Sequence, residues 1–268
     1  MTLFEARLVT AFVDGAGSSR EDRVAHEEPL EIQVQGVSCA VVMRTPGHDE
    51  ELALGFLATE RVIESVADVV SVRHCTTAED PESEGNVIRV VLRDGIDLPL
   101  ERIRRNTYAS SSCGLCGKAT IEAALSHGPP LAGGLTVSAE AIYLLPDRLR
   151  AEQGAFTETG GLHAAALFDD GAVLSFVRED VGRHNAVDKV VGAALREGVP
   201  RNERGLFVSG RVSFEIVQKA AAFGVAIVAG ISAPTSLAAK YGDALGVTVV
   251  GFVRGRSLNV YSRPERIR

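Results

Sequence analysis

Val225-Ala226-Ile227-Val228-Ala229-Gly230-Ile231-Ser232-Ala233-Pro234-Thr235 is an apolar run of strand length that stops at a short polar segment carrying a proline. Residues 235–245 then show helical apolar spacing, and residues 247–253 return to a β-rich run. The same alternation appears upstream, with a strand over 206–209 before a helix over 214–223, and a strand over 172–177 before a helix over 186–196. Alternating elements of this length predict a layered α/β fold with a mostly parallel sheet. Four polar segments follow the C-terminal ends of these strands. They are Arg178-Glu179-Asp180-Val181-Gly182-Arg183-His184-Asn185, Ser209-Gly210-Arg211, Ser232-Ala233-Pro234-Thr235 and Arg254-Gly255-Arg256-Ser257. In an open parallel sheet such loops share one edge, where ligands bind. Glycine is also common in βα loops for purely conformational reasons, so the pattern alone leaves both readings open.

The first hundred residues read differently. Apolar runs on either side of Gly36 predict two antiparallel strands and a tight turn, and residues 49–63 predict a helix with Asp49, Glu50 and Glu51 in its first turn. Strands over 69–72 and 87–92 flank a polar segment, 76–86, whose four acids predict a mobile loop. Further helices are expected over 118–125 and over 138–151, the latter interrupted at Pro146, with a Gly/Pro-rich connection over 126–136 between them. A strand over 163–168 meets the one at 172–177 across Asp169-Asp170-Gly171. The chain therefore divides into a smaller mixed α/β domain over 1–105 and a larger layered α/β domain over 106–268.

Composition sets the class. The chain has 268 residues, 46% apolar and 24% charged, a proportion that supports a folded core, and no apolar run approaches the length of a membrane span. Net charge of −7 and 5% aromatic residues argue against a nucleic-acid or anionic-membrane partner. The opening Met1-Thr2-Leu3-Phe4-Glu5-Ala6-Arg7 lacks the pattern of a secretory signal, so a cytoplasmic protein is expected.

Two of the four cysteines form Ser112-Cys113-Gly114-Leu115-Cys116-Gly117-Lys118 at the start of the helix expected over 118–125. Unpaired N–H groups and the dipole of a helix N-terminus favour thiolate, and Gly114 and Gly117 leave the sulfurs uncovered. A C-x-x-C pair is also half a zinc site, which His74, Cys75, His163 or His184 would have to complete at no recognisable spacing. It equally fits a thiol-disulfide exchanger, although the Arg- and Ser-rich stretch over 102–112 is no strand of a βαβ unit. A mobile loop there suits a sulfur carrier, which must visit a donor and an acceptor. Cys39 lies within a strand and reads as a small buried hydrophobe; Cys75 is undecided.

Other candidate binding residues are Gly160, Gly161 and His163 ahead of a strand, Arg183 and His184 ahead of a helix, and Ser209 and Arg211 after a strand. Asn185, with Asp188 three residues on, reads as a helix cap. Five arginines against one acid, Glu265, give residues 251–268 a local charge of +4, and Arg254-Gly255-Arg256 is suited to phosphate oxygens. The zinc-deaminase pattern H-x-E followed by P-C-x-x-C is absent, since Ala165 stands where the glutamate would be.

These motifs together resemble the formate dehydrogenase accessory sulfurtransferase (FdhD) family. The resemblance spans nearly the whole chain. It rests on Glu28-Pro29-Leu30, Arg44-Thr45-Pro46-Gly47-His48-Asp49-Glu50-Glu51-Leu52-Ala53, Gly55-Phe56-Leu57, the Cys113 motif, Thr159-Gly160-Gly161-Leu162-His163, Glu179-Asp180-Val181-Gly182-Arg183-His184-Asn185-Ala186-Val187-Asp188-Lys189, Ser209-Gly210-Arg211 and Phe252-Val253-Arg254-Gly255-Arg256. It implies a homodimer whose C-terminal part has a cytidine-deaminase-like fold without that enzyme's zinc. It further implies a protein that takes persulfide sulfur from a cysteine desulfurase and passes it to the molybdenum bis(molybdopterin guanine dinucleotide) destined for formate dehydrogenase. By this resemblance Cys113 carries the persulfide with Cys116 as partner. Phe252, Val253, Arg254, Gly255, Arg256 and Ser257 bind the cofactor, for which guanine nucleotides such as GDP are mimics. No resident metal is implied. A cofactor-binding chaperone without sulfur transfer and a thiol-disulfide reductase are the rival functions.

Overall fold

A computed structural model describes residues 3–75, 85–100 and 130–268. Two tight turns organise its N-terminal part. Asp14 (φ 50°) and Gly15 (φ 84°) join β1 (Phe4–Val13) to β2 (Ala16–Ala25), and Gln35 (φ 52°) and Gly36 (φ 78°) join β3 (Glu28–Val34) to β4 (Val37–Arg44). Positive φ at both central residues matches the twist of the strands that such two-residue turns connect. The second hairpin is the expected one; the first, a separate two-stranded ribbon, was not anticipated.

β3 and β4 form a four-stranded sheet with β5 (Val69–His74) and β6 (Val87–Leu92), in the order β4-β3-β6-β5. Helix α1 (Asp49–Thr59) follows β4 and ends four residues before the expected Ile63, because the chain turns at Arg61 (φ 56°). The six-stranded sheet has the order β12-β11-β10-β9-β7-β8. β9 (Gly205–Val208), β10 (Ile227–Gly230) and β11 (Thr248–Arg254) are parallel, as the alternation of elements predicts. β7 (His163–Phe168) runs antiparallel to both β9 and β8 (Leu174–Asp180), and β12 (Ser257–Ser262), unforeseen, folds back antiparallel on β11.

The interrupted helix resolves into α2 (Ala139–Tyr143) and α3 (Leu145–Glu152). The break falls at Leu144, and Pro146 sits in the first turn of α3, where its missing N–H costs nothing. A short α4 (Gly154–Thr159) follows. α5 (Arg183–Arg196) starts three residues before the expected Ala186; α6 (Phe214–Phe223) and α7 (Ser236–Leu245, capped by the Thr235 hydroxyl) lie where the spacing places them.

The layers follow from strand alternation. Leu206, Val208, Val228 and Val249 face one core with α1, α5, α6, α7 and the buried face of the four-stranded sheet; Phe207, Ile227, Ala229 and Val250 face a second core with α2 and α3. Helices α1 and α5 join the two halves at backbone contact. A Cβ at Gly55 would lie 1.7 Å from the Asp188 carbonyl oxygen, and one at Gly192 would lie 1.9 Å from that of Glu51. The domain boundary expected near residue 105 lies outside the described residues.

Candidate functional site

The C-terminal ends of β8, β9, β10 and β11 and the first residues of β7 and β12 lie along one edge of the six-stranded sheet. A cleft of about 630 Å³ opens there, lined by Arg150, Phe156, Gly160, Gly161, His163, Ser209 and Ile231 among others. Gly160 ends α4 in the left-handed conformation (φ 66°), a geometry that glycine adopts without strain. Gly210 admits the His163 ring, whose Nδ1 would lie 3.2 Å from a Cβ at that position, with the Arg183 Cβ at 3.7 Å.

The polar residues that shape this cleft are ones the sequence reading quoted only as parts of motifs. Both carboxylate oxygens of Glu179 accept hydrogen bonds from the N-terminus of α4, from the Ala155 N–H (2.9 Å) and the Phe156 N–H (2.7 Å). This holds the turn that presents Gly160 and Gly161. Asp180, fully buried, accepts from Lys189 Nζ at 2.7 Å, from Asn185 Nδ2 at 2.9 Å and from the N–H groups of Thr45 and Gly182. Lys189 Nζ also donates to the Thr45 carbonyl, and Arg44, equally buried, grips Asp49 through two nitrogens at 3.0 and 3.1 Å. Arg178 grips Glu51 at 2.6 and 2.9 Å. Burial raises the Glu51 pKa, but hydrogen bonds from Arg178 and His48 outweigh it and hold the carboxyl down at about 2. The Arg44-to-Glu51 and Glu179-to-Lys189 motifs are thus one charged lattice clamping the N-terminal sheet to the edge of the larger one. A lysine amid Val187, Val190 and Val191 was the sequence signal for it.

The expected site residues separate into groups. Gly160, Gly161, His163 and Ser209 line the cleft. The Ser209 hydroxyl accepts the Ala164 N–H at 2.9 Å. Arg183 and Arg211 lie close enough to His163 to act on it electrostatically: burial first, then these two cations, lower its pKa and favour the neutral ring. Arg254 reaches back over the edge, its Nε donating to the Ile231 carbonyl at 3.3 Å, and its guanidinium stands 5.7 Å from the Phe252 ring centre. Arg256 stands 5.9 Å from the Tyr143 ring. Gly255 (φ 53°) turns the chain between them and Ser257 begins β12. Val253, next to last in β11, is fully buried in the second core.

One expectation is corrected. Asn185 is not the cap of α5: Gly182 is, and the Asn185 amide donates instead to the Met43 carbonyl and to Asp180. Of the other C-terminal arginines, Arg263 binds the Asp243 carbonyl and Arg266 is buried against Gly133 and Thr248. His184 is absent from the cleft lining; its Nε2 lies 3.9 Å from Glu215 on α6. Cys39 and Cys75 are buried. Cys113 and Cys116 lie outside the described residues, as do the segment at 76–84 and the helix expected over 118–125. Among the described residues no three His, Cys, Asp or Glu side chains are grouped as metal ligands, and no helix is long and apolar enough to cross a membrane.

Burial first, then Arg183 and Lys219, push the His184 pKa down to about 4. Unfolding lets this ring bind a proton from its ordinary 6.5 downward, so its contribution is complete above pH 6.5 and is lost as pH falls toward 4. Urea titrations of a His184→Asn variant are expected to show a shallower loss of stability across that window. The difference is at most about 3 kcal/mol, reduced by solvent screening of a partly exposed side chain. Parallel acid limbs for the two proteins would refute this.

The comparisons with known proteins converge. The model of the FdhD/NarQ family matches residues 25–268. "Sulfur carrier protein FdhD" of Mycolicibacterium paratuberculosis is 46% identical over 271 residues, covering 100% of both chains. The protein of the same name from Mycobacterium tuberculosis is 48% identical, covering 93% of each. A crystal structure described as "a putative formate dehydrogenase accessory protein from Desulfotalea psychrophila" superposes over 100% of both chains with a TM-score of 0.79 at 24% identity, which establishes the fold. With its motifs assembled into one clamped edge and its whole length matched, the chain belongs to the FdhD/NarQ family.

Proposed function

We propose that the protein is a sulfur carrier for formate dehydrogenase maturation. The observation that carries the reading is the sheet edge. Arg150, Gly160, Gly161 and His163 line the cleft, Arg183 and Arg211 act electrostatically on that histidine, and Arg254 donates to the carbonyl of the lining residue Ile231, with Arg256 two residues on; such an edge suits a large ligand bearing phosphates. The names of the relatives supply the sulfur chemistry.

In this reading Cys113 thiolate attacks the outer sulfur of a persulfide on a cysteine desulfurase. A new S–S bond forms on Cys113 and the desulfurase thiolate leaves. The S–S bond on Cys113 then breaks: the Cys113 thiolate leaves, and the sulfane sulfur passes to molybdenum bis(molybdopterin guanine dinucleotide), the substrate held by its phosphates at the sheet edge, taking the two electrons that bring it to sulfide level from the substrate's reduced metal or from a thiol reductant. Gly160 and Gly161 admit the ligand, and Arg254 and Arg256 hold its phosphates. Cys116, beside Cys113 in sequence, is the partner thiol. The loaded cofactor goes on to formate dehydrogenase, and the protein works in the cytoplasm as a homodimer on a cytidine-deaminase-like scaffold.

Calorimetric titration with GDP tests the site. Removing both guanidinium groups in Arg254→Ala/Arg256→Ala is expected to weaken GDP at least about tenfold, the scale of one or two charge-assisted hydrogen bonds. Unchanged affinity would move the pocket elsewhere.

A further inference from the structure

Asp147 is out of place in a cleft suited to phosphates. It is the one acid among the residues that line the cleft, and a carboxylate there repels a phosphate unless it takes up hydrogens from the ligand. Its natural partner is Arg150, three residues on along α3, yet no ion pair joins the two. The Arg150 guanidinium is turned to the Phe156 ring instead, 4.3 Å from its centre. A planar cation on an aromatic ring is a platform on which a flat heterocycle stacks.

Gln153, at the C-terminal end of α3, lines the same cleft. The residue is 4% exposed. Its backbone N–H and carbonyl are bonded to Arg150 and Thr157, but its side-chain amide meets no partner among the described residues. A buried amide left open costs stability, and a ligand in the cleft completes it. Asp147, Arg150 and Gln153 recur every three positions along the side of α3 that faces the cleft, while Leu145 and Leu149 are buried in the second core. Six residues put Asp147 and Gln153 about 9 Å apart along the helix axis, a span that a fused ring with a hydrogen bond at each end bridges.

We propose that this side of α3 reads the edge of a 2-amino-4-oxopyrimidine ring. Asp147 accepts from the ring N–H and from the exocyclic amine beside it, Gln153 donates to the oxo group, and the ring stacks on the Arg150–Phe156 platform. Guanine and pterin both carry that edge. Adenine does not, since it offers a carboxylate one amine beside a lone pair that repels it. This rests on the cleft being the site of the nucleotide-bearing substrate, and it turns a heterocycle of that substrate toward α3 and the phosphates toward Arg254.

Calorimetric titration of the full chain tests it with GDP, with IDP, which lacks the exocyclic amine, with ADP, and with neopterin monophosphate as the pterin. Wild type is expected to prefer GDP over IDP and ADP at least about tenfold, the scale of one charge-assisted hydrogen bond, and Asp147→Asn to shrink that preference below about threefold. Asp147 is exposed, so the melting transition should hold. If the pterin is the ring against α3, Asp147→Asn weakens neopterin monophosphate at least about tenfold and leaves the three nucleotides as they were. An Asp147→Asn variant that shifts all three nucleotides alike and spares the pterin, or that changes nothing, overturns the assignment; the cofactor site itself stands if Arg254→Ala/Arg256→Ala still weakens GDP. A wild type that binds neither GDP nor the pterin overturns both.

Discussion

Asp180→Ala is expected to lose about 3–5 kcal/mol of stability, the scale for removing one partner of a buried ion pair. The site explains the size. Asp180 has no exposed surface, and its carboxylate is the common acceptor for Lys189 Nζ (2.7 Å), Asn185 Nδ2 (2.9 Å), the Gly182 N–H (2.8 Å) and the Thr45 N–H (3.2 Å). Alanine leaves an ammonium group 1% exposed with the Thr45 carbonyl as its one remaining hydrogen-bond partner, and strands two backbone donors besides. Because total stability of a folded domain is about 5–15 kcal/mol, much of it goes with this one side chain. Asp180 also stands opposite His163 in the β7–β8 register, so the cleft loses its frame with it. Urea unfolding measures the loss. A double variant, Asp180→Asn/Lys189→Met, which removes both charges, should be less destabilised than Asp180→Ala alone. A single-variant cost below about 1 kcal/mol would refute the view that this pair clamps the site.

Cys113→Ala is expected to abolish sulfur loading while leaving GDP affinity within twofold of wild type. In the proposed reading this thiolate is the atom that accepts sulfane sulfur, and none of the residues that line the cleft is a cysteine. In the same reading nucleotide binding rests on the sheet edge and is separable from sulfur loading. Loading that survives the substitution would assign the sulfur to another residue. Loss of GDP binding alongside it would mean that the cysteine acts on the site itself.

The layered α/β half was legible because its signals are local. Helices α6 and α7 and the parallel strands β9 to β11 are apolar runs of the right length punctuated by Gly224, Pro234 and Gly246, and each lies within about two residues of its expected place. The loop cluster was legible for the same reason, since strand direction alone puts Ser209, Arg254 and the Arg183 segment at one edge. Long-range consequences were not. Nothing local marks Gly55 and Gly192 as facing residues, because the pairing exists only when α1 crosses α5. Asn185 carries a cap's side chain, yet Asp180 and Met43 bind it more deeply than a helix start would. The first hairpin had its Asp14-Gly15 turn in plain view, but β2 lacks apolar alternation because both its faces stay wet. Val253 belonged to a binding segment in sequence and to the core in space, since alternate residues of a strand face opposite ways.

The most direct test of the central claim is to incubate the purified protein with a cysteine desulfurase, cysteine and labelled sulfur and to map the label by intact and peptide mass spectrometry. One added sulfur atom, on the peptide containing Cys113 and Cys116, is the predicted result. Reduced and accessible thiols with no adduct would contradict a sulfur carrier and leave a protein that binds the cofactor without charging it.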